Sequence, residues 1–450
     1  MERAPMDDLV VVVPGILGSR LGRKGKVVYD LSAKGVRRFL KELRHGELIV
    51  HGDGESPEDD IEPLGLVDTV TLLPGIWSVD GYTRLLDQIR RSVQVTDGEN
   101  LVGFAYDWRL SNRYNGKRLG EVVLPLLDRW RASGPPERRA AKLVLVCHSM
   151  GGLVARWFCE KEGGAEHTRT LVTIGTPHQG ALKALAVLSN GVRLGPLVDL
   201  SPLANSLPSV HQLLPTYRCI DVDGQLRRLA EVSVPELDAA RTRAGLAFHD
   251  ELRSAIAARG ATARPYTLVV YANRYQPTFQ SARLVPGGVK ALRAMLGKDE
   301  RGDGTVPSFA AIPPEWESDA EANHVADRHA SMPAGDSVLY HLLARLTPAD
   351  PRRYMEAVDE VLSLDLPEVI LAGEPLDITV ETPDPSLALD ARLDNFEAGT
   401  TVTYPVPPSR DGGYHATITG VPAGTYRLTV EPVEPGLSVK PVTEFFTVWS

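Results

Sequence analysis

The chain has 450 residues, of which 43% are hydrophobic and 24% are charged. This composition is typical of a globular protein with two to three domains, and it excludes a disordered, collagen-like or coiled-coil chain. No apolar stretch approaches the roughly 20 residues needed to span a bilayer, which excludes an integral membrane protein built from helices.

The formal net charge is −9, and the acidity is concentrated near the carboxyl end. Residues 366–450 contain 12 acids and 4 bases, whereas the remainder contains 46 acids and 45 bases. Neither part has the excess of lysine and arginine that binds nucleic acid phosphates. We therefore expect no nucleic acid partner.

The amino terminus and the cysteines both favour a cytoplasmic protein. The first apolar run, Leu9–Val13, follows two acids, is too short for a signal sequence and lacks a small-residue cleavage site. The three cysteines, Cys147, Cys159 and Cys219, are odd in number and widely spaced, so they predict neither a disulfide framework nor a zinc site. We expect no metal and no organic cofactor.

Short apolar runs alternate with helical patterns over roughly the first 346 residues. The strands are predicted at Leu9–Val13, Leu101–Tyr106, Lys142–Cys147, Thr170–Ile174 and Tyr266–Tyr271. The helices are predicted at Tyr82–Arg91, Leu119–Trp130, Gly151–Lys161 and Ser337–Leu346. Strands alternating with helices predict an α/β fold, a mostly parallel sheet covered by helices on both faces.

Two segments, residues 20–70 and 185–262, interrupt this alternation. The first is rich in charge and glycine, and the second mixes apolar stretches broken by proline with helical patterns. Such insertions often cover an active site as a lid or cap. Surface elaboration without a role at the site is the alternative.

The pattern changes after about residue 363. Eleven of the 34 prolines lie in residues 366–450, where alternating strand patterns replace helical ones. Strands are predicted at Leu376–Val380, Tyr414–Thr419, Thr425–Val430 and Glu444–Val448. Several short strands at close spacing predict a β-sandwich. The chain is therefore divided into an α/β domain at residues 1–363 and an immunoglobulin-like β-sandwich at residues 364–450, which could bind a protein partner.

The sequence from Lys142 to Gly152 contains the strongest catalytic signal. An apolar strand runs into Cys147-His148-Ser149-Met150-Gly151, and a helical pattern follows. A nucleophilic serine requires this context, because a tight strand-to-helix turn raises its hydroxyl above the sheet and small flanking residues let strand and helix pack closely. Cys147 replaces the first glycine of Gly-x-Ser-x-Gly. The alternative is an ordinary surface serine in a βα turn.

A serine nucleophile needs a base that is oriented by an acid, and in α/β-hydrolases the chain order is Ser, Asp or Glu, then His. Asp303 lies in the glycine turn Gly302-Asp303-Gly304, with Asp299 and Asp327 as weaker acidic candidates. For the base, His329 and His324 both precede the same predicted helix and compete.

An oxyanion hole needs backbone N–H groups from the residue after the nucleophile and from the loop after an early strand. Met150 follows the serine, and the first strand ends in the loop that contains Ile16. We predict that the N–H groups of Ile16 and Met150 form this hole.

Taken together, these motifs resemble the lecithin:cholesterol acyltransferase-like α/β-hydrolases, a family that includes lysosomal phospholipase A2. The resemblance extends over roughly residues 9–346, most of the chain. The matching pieces, in order, are Val13-Pro-Gly-Ile-Leu-Gly-Ser19, Leu73-Pro-Gly-Ile-Trp77, Ala105-Tyr-Asp-Trp-Arg109, Cys147-His-Ser-Met-Gly151, Gly175-Thr-Pro-His-Gln-Gly180, Gly195-Pro-Leu197, Leu213-Leu-Pro215, Gly302-Asp-Gly-Thr-Val306 and His329. The β-sandwich and the lack of cysteines near residues 20–70 depart from the well-studied secreted members.

The resemblance implies an α/β-hydrolase fold with Ser149 as nucleophile, Asp303 as orienting acid and His329 as general base. It also implies an acyl ester substrate and a lid near residues 20–70. Residues of these motifs that could line a substrate pocket are Leu17, Trp77, Asp107, Trp108 and His178.

The predicted function is therefore a serine hydrolase or acyltransferase that acts on lipid esters and makes peripheral contact with membranes. Two alternatives stay open. One is a carboxylesterase or thioesterase for small acyl groups, and the other is a catalytically silent sensor or adaptor.

Overall fold

The computed structural model describes residues 3–29, 48–67, 71–73, 77–79, 82–194, 198–234, 236–260, 265–346, 360–382, 384–409, 412–434 and 439–449. The motif pieces at residues 74–76 and 195–197, and residues 30–47 and 68–70 of the predicted lid, lie outside this part of the chain.

Up to residue 346, strands and helices alternate along the chain. The strands are β1 (Leu9–Val13), β2 (Ser19–Arg23), β3 (Lys26–Tyr29), β4 (Ile61–Leu66), β5 (Thr71–Leu73), β6 (Trp77–Val79), β7 (Leu101–Gly103), β8 (Leu143–His148), β9 (Thr168–Ile174), β10 (Arg193–Leu194), β11 (Val198–Asp199), β12 (Arg218–Val222), β13 (Gln225–Arg228), β14 (Thr267–Ala272), β15 (Ser281–Val285), β16 (Gly288–Leu292) and β17 (Asn323–His324). The helices are α1 (Thr83–Ser92), α2 (Asn112–Ala132), α3 (Met150–Lys161), α4 (Leu182–Asn190), α5 (Ser201–Ser206), α6 (Pro208–His211), α7 (Ala239–Arg259) and α8 (Asp336–Leu346). Within the described ranges, no helix is long and apolar enough to cross a bilayer.

The central sheet has the order β17-β14-β9-β8-β1-β7, and every neighbouring pair is parallel. Strands β1 and β8, which both have a neighbouring strand on each side, are buried along their whole length. Uninterrupted runs of valine and leucine suit this position, because both faces of a central parallel strand are covered. The predicted α/β-hydrolase fold is confirmed.

The two inserted segments contribute to an antiparallel and a mixed sheet, respectively. Strands β3-β2-β4 form one sheet in the first segment, and β13-β12-β15-β16 form another that begins in the second. Helix α7, with 21 residues, follows β13. The sequence analysis did not separate these strands from the helix. The lid role of both segments stays a prediction.

The C-terminal part is all β. Its strands are β18 (Glu360–Val361), β19 (Ser363–Asp365), β20 (Val369–Leu371), β21 (Leu376–Glu381), β22 (Leu389–Asn395), β23 (Thr400–Val406), β24 (Tyr414–Ile418), β25 (Gly424–Pro432), β26 (Val439–Lys440) and β27 (Val442–Trp449). The sheets β19-β21-β24 and β20-β27-β25-β22-β23 enclose one apolar core. An all-β C-terminal part is confirmed, and the boundary at residue 363 stays a prediction.

Candidate active site

Ser149 lies on a sharp turn between the central strand β8 and helix α3. Its φ of 52° is in the left-handed region, which is strained for a residue with a side chain. The Ser149 N–H donates to the Ile174 carbonyl on the adjacent strand β9 at 2.8 Å, which fixes the turn against the sheet. This is the nucleophile-elbow geometry that the sequence predicted.

Two glycines allow the elbow to pack against the loop after β1. A Cβ atom on Gly15 would lie 3.0 Å from the Ser149 Cβ, and one on Gly151 would collide with the carbonyl oxygens of Val13 and Pro14. Gly151 therefore excludes larger residues, and Gly15 leaves little room for one. The buried Cys147 fits where the motif usually has its first glycine.

A hydrogen-bond relay joins Ser149, His329 and Asp303. The His329 Nε2 atom lies 2.9 Å from the Ser149 Oγ, and its Nδ1 atom lies 2.7 Å from the Asp303 Oδ2. A carboxylate only accepts, so Nδ1 bears the proton and Nε2 is free to accept the serine proton. All three side chains are at least 95% buried, which strengthens their electrostatic coupling.

The turn that contains Asp303 also fixes this carboxylate. Its Oδ1 accepts the N–H groups of Thr305 at 2.8 Å and Val306 at 2.6 Å, while Oδ2 faces the imidazole. The His329 N–H donates to the Asp303 carbonyl at 2.9 Å, so backbone and side chain both join the two residues. Acid and base are therefore prearranged.

The competing candidates lie elsewhere. Asp327 pairs with Lys440 at 3.5 Å, and His324 pairs with Asp319 at 3.6 Å. Asp299 accepts a hydrogen bond from a glutamine side chain. The structure thus brings together the three residues implied by the family resemblance and none of these alternatives.

The predicted oxyanion donors flank the nucleophile. Met150 begins helix α3, and Ile16 follows the close approach of Gly15. Among the described residues, neither N–H has a hydrogen-bond partner. Both donors are therefore available to an oxygen atom bound at the serine.

A chain of hydrogen bonds that the sequence analysis missed joins the oxyanion loop to the base. The Gly15 N–H donates to the Tyr82 Oη at 2.8 Å, and the Tyr82 hydroxyl donates to the His148 Nδ1 at 2.9 Å. The His148 Nε2–H donates to the His329 carbonyl at 3.0 Å. Burial lowers the pKa of His148 to about 3, so the ring is neutral and this tautomer is kept. The only signal in the sequence was the position of His148 beside the nucleophile.

The Ala105–Arg109 motif supports the same loop. The Tyr106 hydroxyl donates to the Pro14 carbonyl at 2.9 Å, and the Trp108 Nε1–H donates to the Ser19 carbonyl at 3.1 Å. Trp108 is fully buried. This site suits tryptophan because the ring fills buried space and its N–H donates to the loop.

The remaining predicted pocket residues have mixed surroundings. Leu17 is buried, with a φ of 64°. Asp107 is buried and pairs with Arg109 at 2.6 Å. His178 is buried beside Arg156, and burial followed by that charge lowers its pKa. Trp77 lies in β6, but its side chain is outside the described part of the structure.

Two cavities lie away from the relay. One of about 910 Å³ lies between the end of α7 and the start of β14, and another of about 730 Å³ is lined by β4, Asp107 and part of α2. Neither is lined by the relay residues. In the ranges that the structure covers, no group of three or more His, Cys, Asp or Glu side chains is arranged to hold a metal ion.

Comparison with known proteins supports the motif analysis. The family model described as lecithin:cholesterol acyltransferase matches residues 78–253, which confirms the predicted resemblance. Among solved structures, the propeptide form of the Bacillus licheniformis lipase BlEst2 is 14% identical, with 98% of this chain and 74% of that chain covered and a TM-score of 0.39. Its mature form is 13% identical, with coverages of 77% and 95% and the same TM-score. No curated protein matches the sequence.

Proposed function

We propose that this chain, which resembles the lecithin:cholesterol acyltransferase-like α/β-hydrolases, cleaves or transfers acyl groups of lipid esters through an acyl-enzyme on Ser149. The family match over residues 78–253 supports an acyl-ester hydrolase or acyltransferase in general. The observation that carries the specific proposal is the relay from the Ser149 hydroxyl through His329 to Asp303.

In the first step, the Ser149 Oγ attacks the ester carbonyl carbon while its proton moves to the His329 Nε2. Asp303 stabilises the imidazolium through the bond at Nδ1. As the tetrahedral intermediate collapses, the bond from carbon to the leaving oxygen breaks and the imidazolium protonates that oxygen. The acyl group is then esterified to Ser149.

In the second step, His329 takes a proton from water or from an acceptor alcohol, whose oxygen attacks the acyl carbon. Collapse of this intermediate breaks the bond to the Ser149 Oγ, which recovers the proton. Water gives the free acid, and an alcohol gives a new ester. The Ile16 and Met150 N–H groups stabilise the oxyanion in both steps, and loss of one such donor typically lowers kcat by about 10²–10³.

The nucleophile is almost fully buried. Ser149 exposes only 5% of its surface, and its neighbours Ile16 and Leu17 expose 2% each. Such low exposure favours a local opening beside the nucleophile before an ester carbonyl reaches the Oγ. This closed arrangement suits an enzyme that opens at a lipid surface, and we propose peripheral membrane contact in the cytoplasm as the setting of the reaction.

A chain-length series of p-nitrophenyl esters, from acetate to palmitate, tests this function, with S149A as the matched control. We expect hydrolysis that increases with chain length in detergent-dispersed substrate and falls at least 10³-fold in S149A. Cleavage of acetate alone would contradict a lipid substrate and support a small-ester esterase. Absence of cleavage throughout, in folded protein, would contradict the enzymatic function.

A further inference from the structure

The loop that contains the proposed base, residues 327–332 (the base loop), is in contact with the C-terminal sheets. The side chain of Arg328, directly before His329, pairs with Glu444 on β27 and donates to the Leu364 carbonyl on β19. These strands belong to the two different sheets of the sandwich. Arg328 therefore reaches the place where the two sheets meet.

Glu444 occupies a position that strand alternation assigns to the sandwich core. Along β27, Val442, Phe446 and Val448 face this core, and Glu444 shares their parity. Its register partner on β25 is the fully buried Leu428. A carboxylate there is unfavourable unless it is paired. The partner is Arg328, which comes from the hydrolase part of the chain.

Arg328 also lies against the turn of the catalytic acid. A Cβ atom on Gly304, directly after Asp303, would lie 2.6 Å from an Arg328 guanidinium nitrogen. Gly304 has a φ of 95° and leaves this space free. The guanidinium thus lies between the turn of the acid, the loop of the base and both sheets of the sandwich.

The residues after the base, Ala330 and Ser331, also contact β27. Ala330 packs against Phe445, which lies on the opposite face of β27 from Glu444 and is fully buried. The Ser331 hydroxyl lies 3.5 Å from the Thr443 carbonyl on the same strand. Both neighbours of His329 in the chain are therefore fixed by β27.

We propose that the C-terminal sandwich positions the general base, with Arg328 and Glu444 as positioning residues that set His329 against Asp303 and Ser149. This inference rests on the proposed function. The sandwich is then part of the active-site architecture, and its contact with the base loop is required for a full rate. Displacement of β27 from the base loop would switch the enzyme off without touching the nucleophile.

The test compares the full-length chain with E444Q, with the double variant R328M/E444M and with E368Q as the matched control. In the wild type, Glu368 of the C-terminal part pairs with Lys183 on α4 of the hydrolase part. E368Q therefore also removes a carboxylate that joins the two parts, but this carboxylate does not contact the base loop. The double variant replaces the buried ion pair by apolar side chains of similar length, a change that proteins often tolerate. For each protein, circular dichroism gives the folded fraction, ester hydrolysis gives kcat and KM, and a fluorophosphonate gives the labelling rate of Ser149.

We expect kcat per folded molecule and the labelling rate to fall together by at least 10-fold in E444Q and R328M/E444M, with KM within twofold of the control. A pair that only stabilises the fold would change the folded fraction and leave kcat per folded molecule unchanged, and this result would overturn the proposal. Failure of both variants to fold would overturn it too, since the pair would then be a folding element. If the wild type itself is neither labelled nor active, the proposed function fails and the inference falls with it.

Discussion

Substitution of Tyr82 by phenylalanine tests whether the hydrogen-bond chain behind the active site is needed. The change removes one oxygen atom and leaves two buried groups without a partner, the Gly15 N–H and the His148 Nδ1. An unsatisfied buried polar group costs about 1–3 kcal/mol, so we expect Y82F to lower the free energy of unfolding by about 2–4 kcal/mol. Because Gly15 precedes the proposed oxyanion donor, we also expect kcat to fall about 10-fold.

Urea unfolding followed by tryptophan fluorescence gives the first quantity, and ester hydrolysis gives the second. The matched control is Y106F, which removes the same atom but only one hydrogen bond, to the Pro14 carbonyl. That variant should lose about 1 kcal/mol. If Y82F loses no more stability than Y106F and keeps the wild-type kcat, the hydrogen-bond chain has no role and the reasoning is refuted.

Two further predictions concern the stability of the protein at acidic pH and the tautomer of His329. Burial lowers the pKa of His148 to about 3 and that of His249 to about 4, so unfolding near pH 5 protonates both rings. The unfolded state then binds more protons than the folded state, so the free energy of unfolding falls as the pH decreases below about 6.5. The expected loss is about 2 kcal/mol per histidine at pH 5 relative to pH 7.5. Urea midpoints at the two pH values check this, and equal midpoints would contradict it. D303N keeps an oxygen that accepts the N–H groups of the turn, but it presents an amide N–H to the His329 Nδ1. This favours the histidine tautomer with its proton on Nε2, which cannot accept the serine proton. We therefore expect kcat to fall about 10⁴-fold while the melting temperature changes little. A kcat within tenfold of the wild type would remove Asp303 from the mechanism.

The sequence predicted the central sheet well because parallel strands buried on both faces have a distinctive composition. Strand β1 was placed at Leu9–Val13 with its observed ends, and β8 was displaced by one residue. The first helical turns of α2 were missed. Residues 112–118 are mostly polar, so they show no apolar helical pattern. Gly116 is suitable within this helix because it lies against Trp157, and that contact depends on tertiary packing.

At the candidate site, chain order and residue type narrowed the acid and the base to a few candidates, and the family resemblance implied the set Ser149, Asp303 and His329. The residues that hold the relay in place could not be predicted from the sequence, for a physical reason. Tyr82 and His148 are 66 positions apart, and Arg328 and Glu444 are 116 apart. Pairings over such separations are set by how whole elements pack, and one sequence does not contain that information. Glu444 shares the parity of the inward-facing Val442, Phe446 and Val448, and a charged residue at such a position is a local irregularity that is consistent with a partner outside the sandwich.

The proposed mechanism requires an activated Ser149, and reaction with a fluorophosphonate probe measures this property. The folded wild-type chain is incubated with the probe, and the labelled peptide is identified by mass spectrometry, with S149A treated in parallel. We predict a single modification, on Ser149, that is absent from S149A and is accelerated by detergent or lipid vesicles because the site is closed in this structure. Labelling of S149A at the wild-type rate, or no labelling of Ser149 under any of these conditions, would contradict the account.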